Sequence, residues 1–203
     1  GMEKNEAFRI SPAMLLSALR QLTFGDLLMR CLYRTRPYEA VPGSANALHA
    51  KWRDIAIAYA MGEKTGYTYG GICRGIVADF DTLPLNESLR KPRVGIVGEI
   101  LLKYHPDANN QVIRHITEEG GEPVLTDLMD FFLYCLLDPV YLWRHMGGKA
   151  FPAFSNWLLI KRIESLRDAM RRALEGSRFL PVSRIADLAR SVHGIVSTGN
   201  QAG

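Results

Sequence analysis

Between Gly98 and Asn110 the chain gathers an acid, a cation, an imidazole and two amides: Glu99, Lys103, His105, Asn109 and Asn110. Glu99 and His105 are the candidate catalytic pair, since a carboxylate and an imidazole can pass a proton to and from a bound group. Lys103, Asn109 and Asn110 are the candidate substrate-binding residues. A cation and amides beside a helix N-terminus favour an anionic ligand. A well-capped surface loop, with Asp107 and Asn109 serving only structure, explains the same residues, and both readings stand. Gly95 and Gly98 give Gly-x-x-Gly, which is not the dinucleotide fingerprint, so neither NAD nor FAD is expected.

Elsewhere the chemistry-bearing residues are scattered. Cys31, Cys73 and Cys135 have no CxxC spacing and sit among apolar neighbours, as in Leu133-Tyr134-Cys135-Leu136. They read as core thiols first, with a cluster assembled in space as the alternative. The five histidines, His49, His105, His115, His145 and His193, form no HxH or HExxH pair, so no metal site is assigned. Neither a Gly-x-Ser-x-Gly elbow nor a Walker A loop occurs. The basic run Lys161 to Arg172 alternates with Glu164 and Asp168. It reads as a solvated helix face, with an anion-holding surface as the second reading.

The elements that must position these residues follow from apolar spacing. Met14, Leu15, Leu16, Ala18, Leu19 and Leu22 repeat at helical intervals after Pro12, and Gly25 is a candidate break. A second helix is expected from Ser44, as N-cap, to Met61, and a short one from Gly71 to Phe80. Residues 2–82 therefore read as a mainly helical segment, and the polar stretch Leu83 to Lys91 as a boundary. Arg93 to Gly98 and Glu122 to Thr126 read as buried parallel strands, joined by a helix opening at Pro106-Asp107. Residues 91–203 then form a Rossmann-like βαβ half followed by helices: one from Asp127 to Leu137, one starting at Asp138-Pro139, a long one capped by Ser155 or Asn156 and ending at Gly176, and a short one from Pro181 to Val192. Ile195-Val196 is a candidate further strand. The expected class is α/β, a partial parallel sheet of few strands with a large helical portion at both ends, incomplete without a further C-terminal part.

Composition suits a globular chain: 203 residues, 47% hydrophobic and 23% charged. The net charge of +4 is spread along the chain, which argues against nucleic acid as a partner. The longest apolar run, Phe131 to Leu137, is far short of the ~20 residues that span a bilayer. Three scattered cysteines fit a reducing compartment, Glu3 to Glu6 are too polar for a secretory leader, and a cytoplasmic location is expected. Gly1 before Met2 reads as a tag remnant.

The stretch Leu32-Tyr33-Arg34-Thr35-Arg36-Pro37-Tyr38-Glu39 resembles a segment of the CoA-substrate-specific enzyme activases, relatives of 2-hydroxyglutaryl-CoA dehydratase. Lys91 to Ile100, followed by Pro106-Asp107-Ala108-Asn109-Asn110, is similar to the strand, loop and helix start of that family's dehydratase-like region. Asp127 to Cys135 and Gly199 to Gly203 resemble later segments. The resemblance implies an internal or truncated region of a protein of anaerobic bacteria, whose full-length form carries a [4Fe–4S] cluster and removes water from 2-hydroxyacyl-CoA thioesters. The activators' ATPase motifs are absent, and none of the three cysteines falls in a ligating motif of that family, so no cofactor is assigned to this chain.

Two functions are expected from this. In one, the chain is a dehydratase-like domain, inactive alone, that lends part of a composite iron–sulfur and acyl-CoA site to the remainder of a longer polypeptide or to a dehydratase or activator subunit. In the other it is a non-catalytic module that docks an ATPase activator or a dehydratase subunit through Arg34, Arg36 and Tyr38, residue types that favour interfaces. Homodimerisation is expected if the sheet ends in exposed apolar surface.

Overall fold

The computed structural model describes residues 11–192 and residue 195. Helix α1 (Pro12–Thr35) starts where Ser11 accepts the Met14 N–H at 3.1 Å, with Pro12 at its first position. Gly25 does not break it: the apolar face continues through Phe24, Leu27, Leu28 and Cys31, and burial of that face outweighs the propensity cost of one glycine. A single 3-10 turn, Arg36–Tyr38, follows. Helix α2 (Ser44–Ala60) has Gly43 rather than Ser44 at its N-cap, at φ 87°. The capping oxygens come from Glu39, which accepts the N–H groups of Gly43 (2.7 Å) and Ala45 (2.8 Å). Helix α3 (Tyr69–Asp81) begins at Thr68, whose hydroxyl accepts the Gly71 N–H.

The expected α/β class is overturned: the molecule is mostly helical and is not a Rossmann-like fold. Strands β1 (Arg93–Gly95) and β2 (Glu122–Val124) pair in parallel, Arg93 opposite Glu122, and no further strand joins them among the described residues. The reason lies in burial. An apolar run suits a central parallel strand only if both faces are covered, whereas every residue of β1 is exposed and Val97 just beyond it is 89% exposed. Ile195 of the expected further strand lies exposed in a turn, and Val196 falls outside the described residues. The connection between β1 and β2 is also broken in two, into α4 (Ile100–Tyr104) and α5 (Val112–Glu118). Glu99 caps α4, and Asn110 and Gln111 adopt left-handed φ of 54° and 58° before α5. A helix opening at Asp107 is not formed.

Helix α6 (Leu128–His145) runs straight through Pro139, where two helices were expected. Leu133 before the proline and Val140 after it are both buried on one face, so packing carries the helix across the missing N–H. Helix α7 (Ala150–Leu174) starts earlier than Ser155, with Pro152 in the first turn, where an N–H has no partner in any case. A short α8 (Ile185–Ser191) closes the described chain.

Two apolar cores result. One lies between α1, α2 and α3 and takes Met170 and Leu174 from the end of α7. The other joins Met129 and Leu133 of α6 to Ile160 and Ile163 of α7 and Ile185 of α8. Helix α7 thus serves both cores, and Arg167 lies between its two contributions, fully buried. None of the described helices is long and apolar enough to cross a membrane.

Candidate functional site

The loop after β1 closes onto α1 and α2 and leaves a cleft of about 300 Å3. Its basic side chains come from four places: Arg36 from the 3-10 turn, His49 from α2, Lys103 from α4 and Arg114 from α5. No carboxylate lines it. Arg36 stacks over the Tyr33 ring at 5.7 Å, and Lys103 lies 5.2 Å from the Tyr104 ring. Lys103 donates to Thr126 Oγ1 at 2.7 Å, which leaves two of the ammonium's three N–H groups for a ligand. Arg114 is held by Glu118, one turn on, at 2.7 Å. Burial first, then the neighbouring Arg53 and Arg36, hold the His49 imidazole below its ordinary pKa. With Arg114 paired and His49 held toward its neutral form, Arg36 and Lys103 are left to give the cleft its positive charge.

The sequence candidates divide at this cleft. Lys103 and Asn109 line it. Asn109 also holds the backbone, donating to Leu102 O at 2.9 Å and accepting the Val112 N–H at 3.2 Å. Glu99, His105 and Asn110 are not among its lining residues. The Glu99 carboxylate accepts the N–H groups of Leu101 and Leu102, so it is occupied in capping α4. His105 and Asn110 lie exposed in the turn that follows. His49 and Arg114 were not singled out from the sequence. Nothing local marks them, since α2 and α5 meet only in the folded chain.

The three interface candidates also part company. Arg36 faces the cleft just described. Arg34 and Tyr38 turn to the other side, where the buried Glu122 accepts from Arg34 (2.9 Å) and from the Tyr38 hydroxyl (2.7 Å). Arg93 lies 3.2 Å from the second oxygen of the same carboxylate. Burial foremost, then Glu122, raises the Tyr38 pKa. These residues line a wider cleft of about 750 Å3 together with Arg90, Lys91 and Arg178. Here the cations face carboxylates: Glu122, Asp81 and Glu87 all line the cavity.

The turn from β2 into α6 is fixed from both sides. The Tyr104 hydroxyl donates to Thr126 O at 2.8 Å. Behind it, the buried Asp127 accepts from Arg30 (2.7 Å) and Arg167 (2.9 Å), and Arg167 also lies 2.8 Å from Asp130. Asp26 of α1 reaches over to cap α6, accepting the N–H groups of Leu128 (2.8 Å) and Met129 (3.0 Å). Desolvation first, then Asp127, push the Asp26 carboxyl up to about 7.

The thiols do not fit an iron–sulfur cluster. Cys31 and Cys73 are buried in one apolar core and Cys135 is exposed on α6. Burial raises the pKa of the first two, Cys73 to about 12, whereas a cluster needs thiolates. No group of three or more His, Cys, Asp or Glu among the described residues is placed to hold a metal ion. Comparison with family models, with curated proteins and with solved structures found no match.

Proposed function

We propose that this chain is a cytoplasmic, dehydratase-like part of a 2-hydroxyacyl-CoA dehydratase/activase-related assembly, and that its contribution is to hold the anionic portion of an acyl-CoA. The observation that carries this is the cleft in which Arg36, His49, Lys103 and Arg114 converge without a lining carboxylate. Its size fits a phosphate group rather than a whole coenzyme, since sites of ~300 Å3 are the smallest that enclose a small molecule. The acyl end would therefore lie outside it, where other parts of the assembly complete the site. The family resemblance of Lys91 to Ile100 and of Pro106 to Asn110 supplies the ligand class, and the cleft's charge supports it. Bond-making chemistry is not assigned to this chain: Glu99 is engaged in a cap, and the cysteines do not suit a cluster.

Calorimetric titration with coenzyme A, and with inorganic pyrophosphate as competitor, tests the reading. Binding is expected to weaken as salt rises. Lys103→Ala removes a charge-assisted contact worth about 1.5–3 kcal/mol, roughly ten- to a hundredfold in affinity. A bound anion favours the imidazolium form of His49, whose pKa the fold holds down, so affinity rises as pH falls below the ordinary imidazole value of 6.5. His49→Ala flattens that profile. Equal coenzyme A binding by wild type and a Lys103→Ala/Arg114→Ala chain, or no binding at low salt, sinks the proposal.

A further inference from the structure

The polar stretch Leu83 to Lys91, a boundary by its sequence, supplies half of the residues that line the wider cleft. It is fastened to the 3-10 turn. Asn86 N donates to Tyr38 O at 2.7 Å, Ala40 N donates to Pro84 O at 3.0 Å, and Leu85 pairs with Glu39 in an antiparallel bridge. Five cations and three carboxylates line the cavity, an excess of two positive charges. Two of the carboxylates are engaged with arginines. The buried Glu122 takes Arg34 and Arg93, and Asp81 accepts the Arg178 backbone N–H at 2.8 Å and lies 3.4 Å from its Nε. Among the described residues, each of these three guanidiniums keeps a terminal nitrogen without a protein acceptor. Arg90 donates only to the carbonyls of Glu87 and Leu89, and the Lys91 ammonium enters no ion pair.

We propose that this cleft binds a hydroxylated organic phosphate: a sugar phosphate, or the ribose phosphate of a nucleotide. The charge excess calls for an anion. Planar guanidiniums suit phosphate, which they hold through paired N–H donors. Carboxylates already fix Arg34, Arg93 and Arg178, so less side-chain freedom is lost when the anion arrives. Size excludes a bare phosphate as the whole ligand. Cavities of ~300–1,000 Å3 enclose small organic molecules, and this one measures about 750 Å3. The third carboxylate indicates the body of the ligand. Glu87 enters no ion pair among the described residues and can accept from hydroxyls. Beside it, Asn86 Oδ1 accepts from the Ser88 hydroxyl at 2.6 Å, which leaves the Asn86 amide N–H groups to donate. A ligand that was all anion would be set against Glu87. This cleft shares no lining residue with the cleft of Arg36 and Lys103, so the inference is independent of the acyl-CoA reading.

Calorimetric titration of the full chain at low salt with ribose 5-phosphate, glucose 6-phosphate and AMP tests this, with ribose and inorganic phosphate as controls. At least one of the three organic phosphates is expected to bind more tightly than inorganic phosphate, and ribose is expected not to bind. An Arg90→Ala/Lys91→Ala chain loses two cations that hold no other side chain. Its circular dichroism spectrum should be unchanged and its affinity should fall about a hundredfold, at roughly tenfold for each charge-assisted contact. Glu87→Gln should narrow the ratio of affinities between the bound organic phosphate and inorganic phosphate. A Lys103→Ala/Arg114→Ala chain should bind it as wild type does. Four results overturn the proposal: no binding of any of the three, inorganic phosphate bound as tightly as the best of them, full affinity in the Arg90→Ala/Lys91→Ala chain, or loss in the Lys103→Ala/Arg114→Ala chain instead. The last would give the phosphate to the other cleft and leave the acyl-CoA reading standing.

Discussion

Two glycines show how differently one residue type is used. Gly25 lies exposed in the middle of α1, and a Cβ added there meets nothing within 4 Å. Its place in a helix interior is a propensity cost without a packing return, so Gly25→Ala should stabilise the chain by about 0.5–1 kcal/mol. Gly75 in α3 faces the Trp52 ring of α2, and a Cβ there would lie 2.1 Å from Trp52 Cη2. The ring cannot easily move: Trp52 is 2% exposed and its Nε1 donates to Asp79 at 2.9 Å. Gly75→Ala should therefore cost about 1–3 kcal/mol of overpacking. Urea denaturation of the two variants checks both signs at once. A stabilising Gly75→Ala would mean that α2 and α3 can separate without loss.

At the scale of elements, the cap of α6 is supplied from α1, and this makes stability depend on pH. Three carboxylates, Asp26, Asp127 and Asp130, meet two guanidiniums, Arg30 and Arg167. One proton brings that cluster to neutrality. It falls to Asp26, whose partners are backbone N–H groups rather than guanidiniums. The carboxyl moves from an ordinary 3.8 to about 7 on folding. A carboxyl that holds its proton more firmly when folded stabilises the fold fully below its unfolded pKa, and that stability is lost as pH rises through the folded value. Stability should decline between about pH 4 and 7 by up to ~1.4 kcal/mol per pH unit from this group. Asp130, raised chiefly by desolvation, works in the same direction. Asp26→Asn loses one cap acceptor, at about 1 kcal/mol, and removes the titration. The variant should be less stable than wild type at pH 5, with the gap narrowing or reversing by pH 8. A gap independent of pH would show that Asp26 stays ionised.

For the whole molecule, the sequence was legible where a signal is local. The apolar stripes of α1, α2, α3 and α7 stand out at helical spacing, and the strands at Arg93 and Glu122 lie within the runs that suggested them. What those strands amount to was not legible, because a short apolar run reads the same whether it sits in a covered sheet or, as with Val97, in water. Lys103 and Asn109 could be found because they follow a strand. Arg36, His49 and Arg114 reach the same cleft from other elements, and Asp26 caps a helix a hundred residues downstream, pairings that no local pattern carries. Arg167 is the strongest case. It reads as one cation in a basic helical run, yet it is fully buried between the two cores and holds Asp127 and Asp130. Arg167→Met leaves those carboxylates short of a buried countercharge, a loss of about 3–5 kcal/mol. Because α7 feeds both cores on either side of this residue, the loss should fall on the whole fold: tryptophan fluorescence, from Trp52 in one core and Trp143 and Trp157 on α6 and α7, and far-UV ellipticity should still report a single shared transition. Deprived of the guanidinium, the carboxylates can recover neutrality by taking up protons, so the destabilisation should shrink as pH falls toward 5. Equal losses at pH 5 and pH 8 would mean that Arg167 acts through the packing of its stem, and separate transitions would mean that the two cores stand independently.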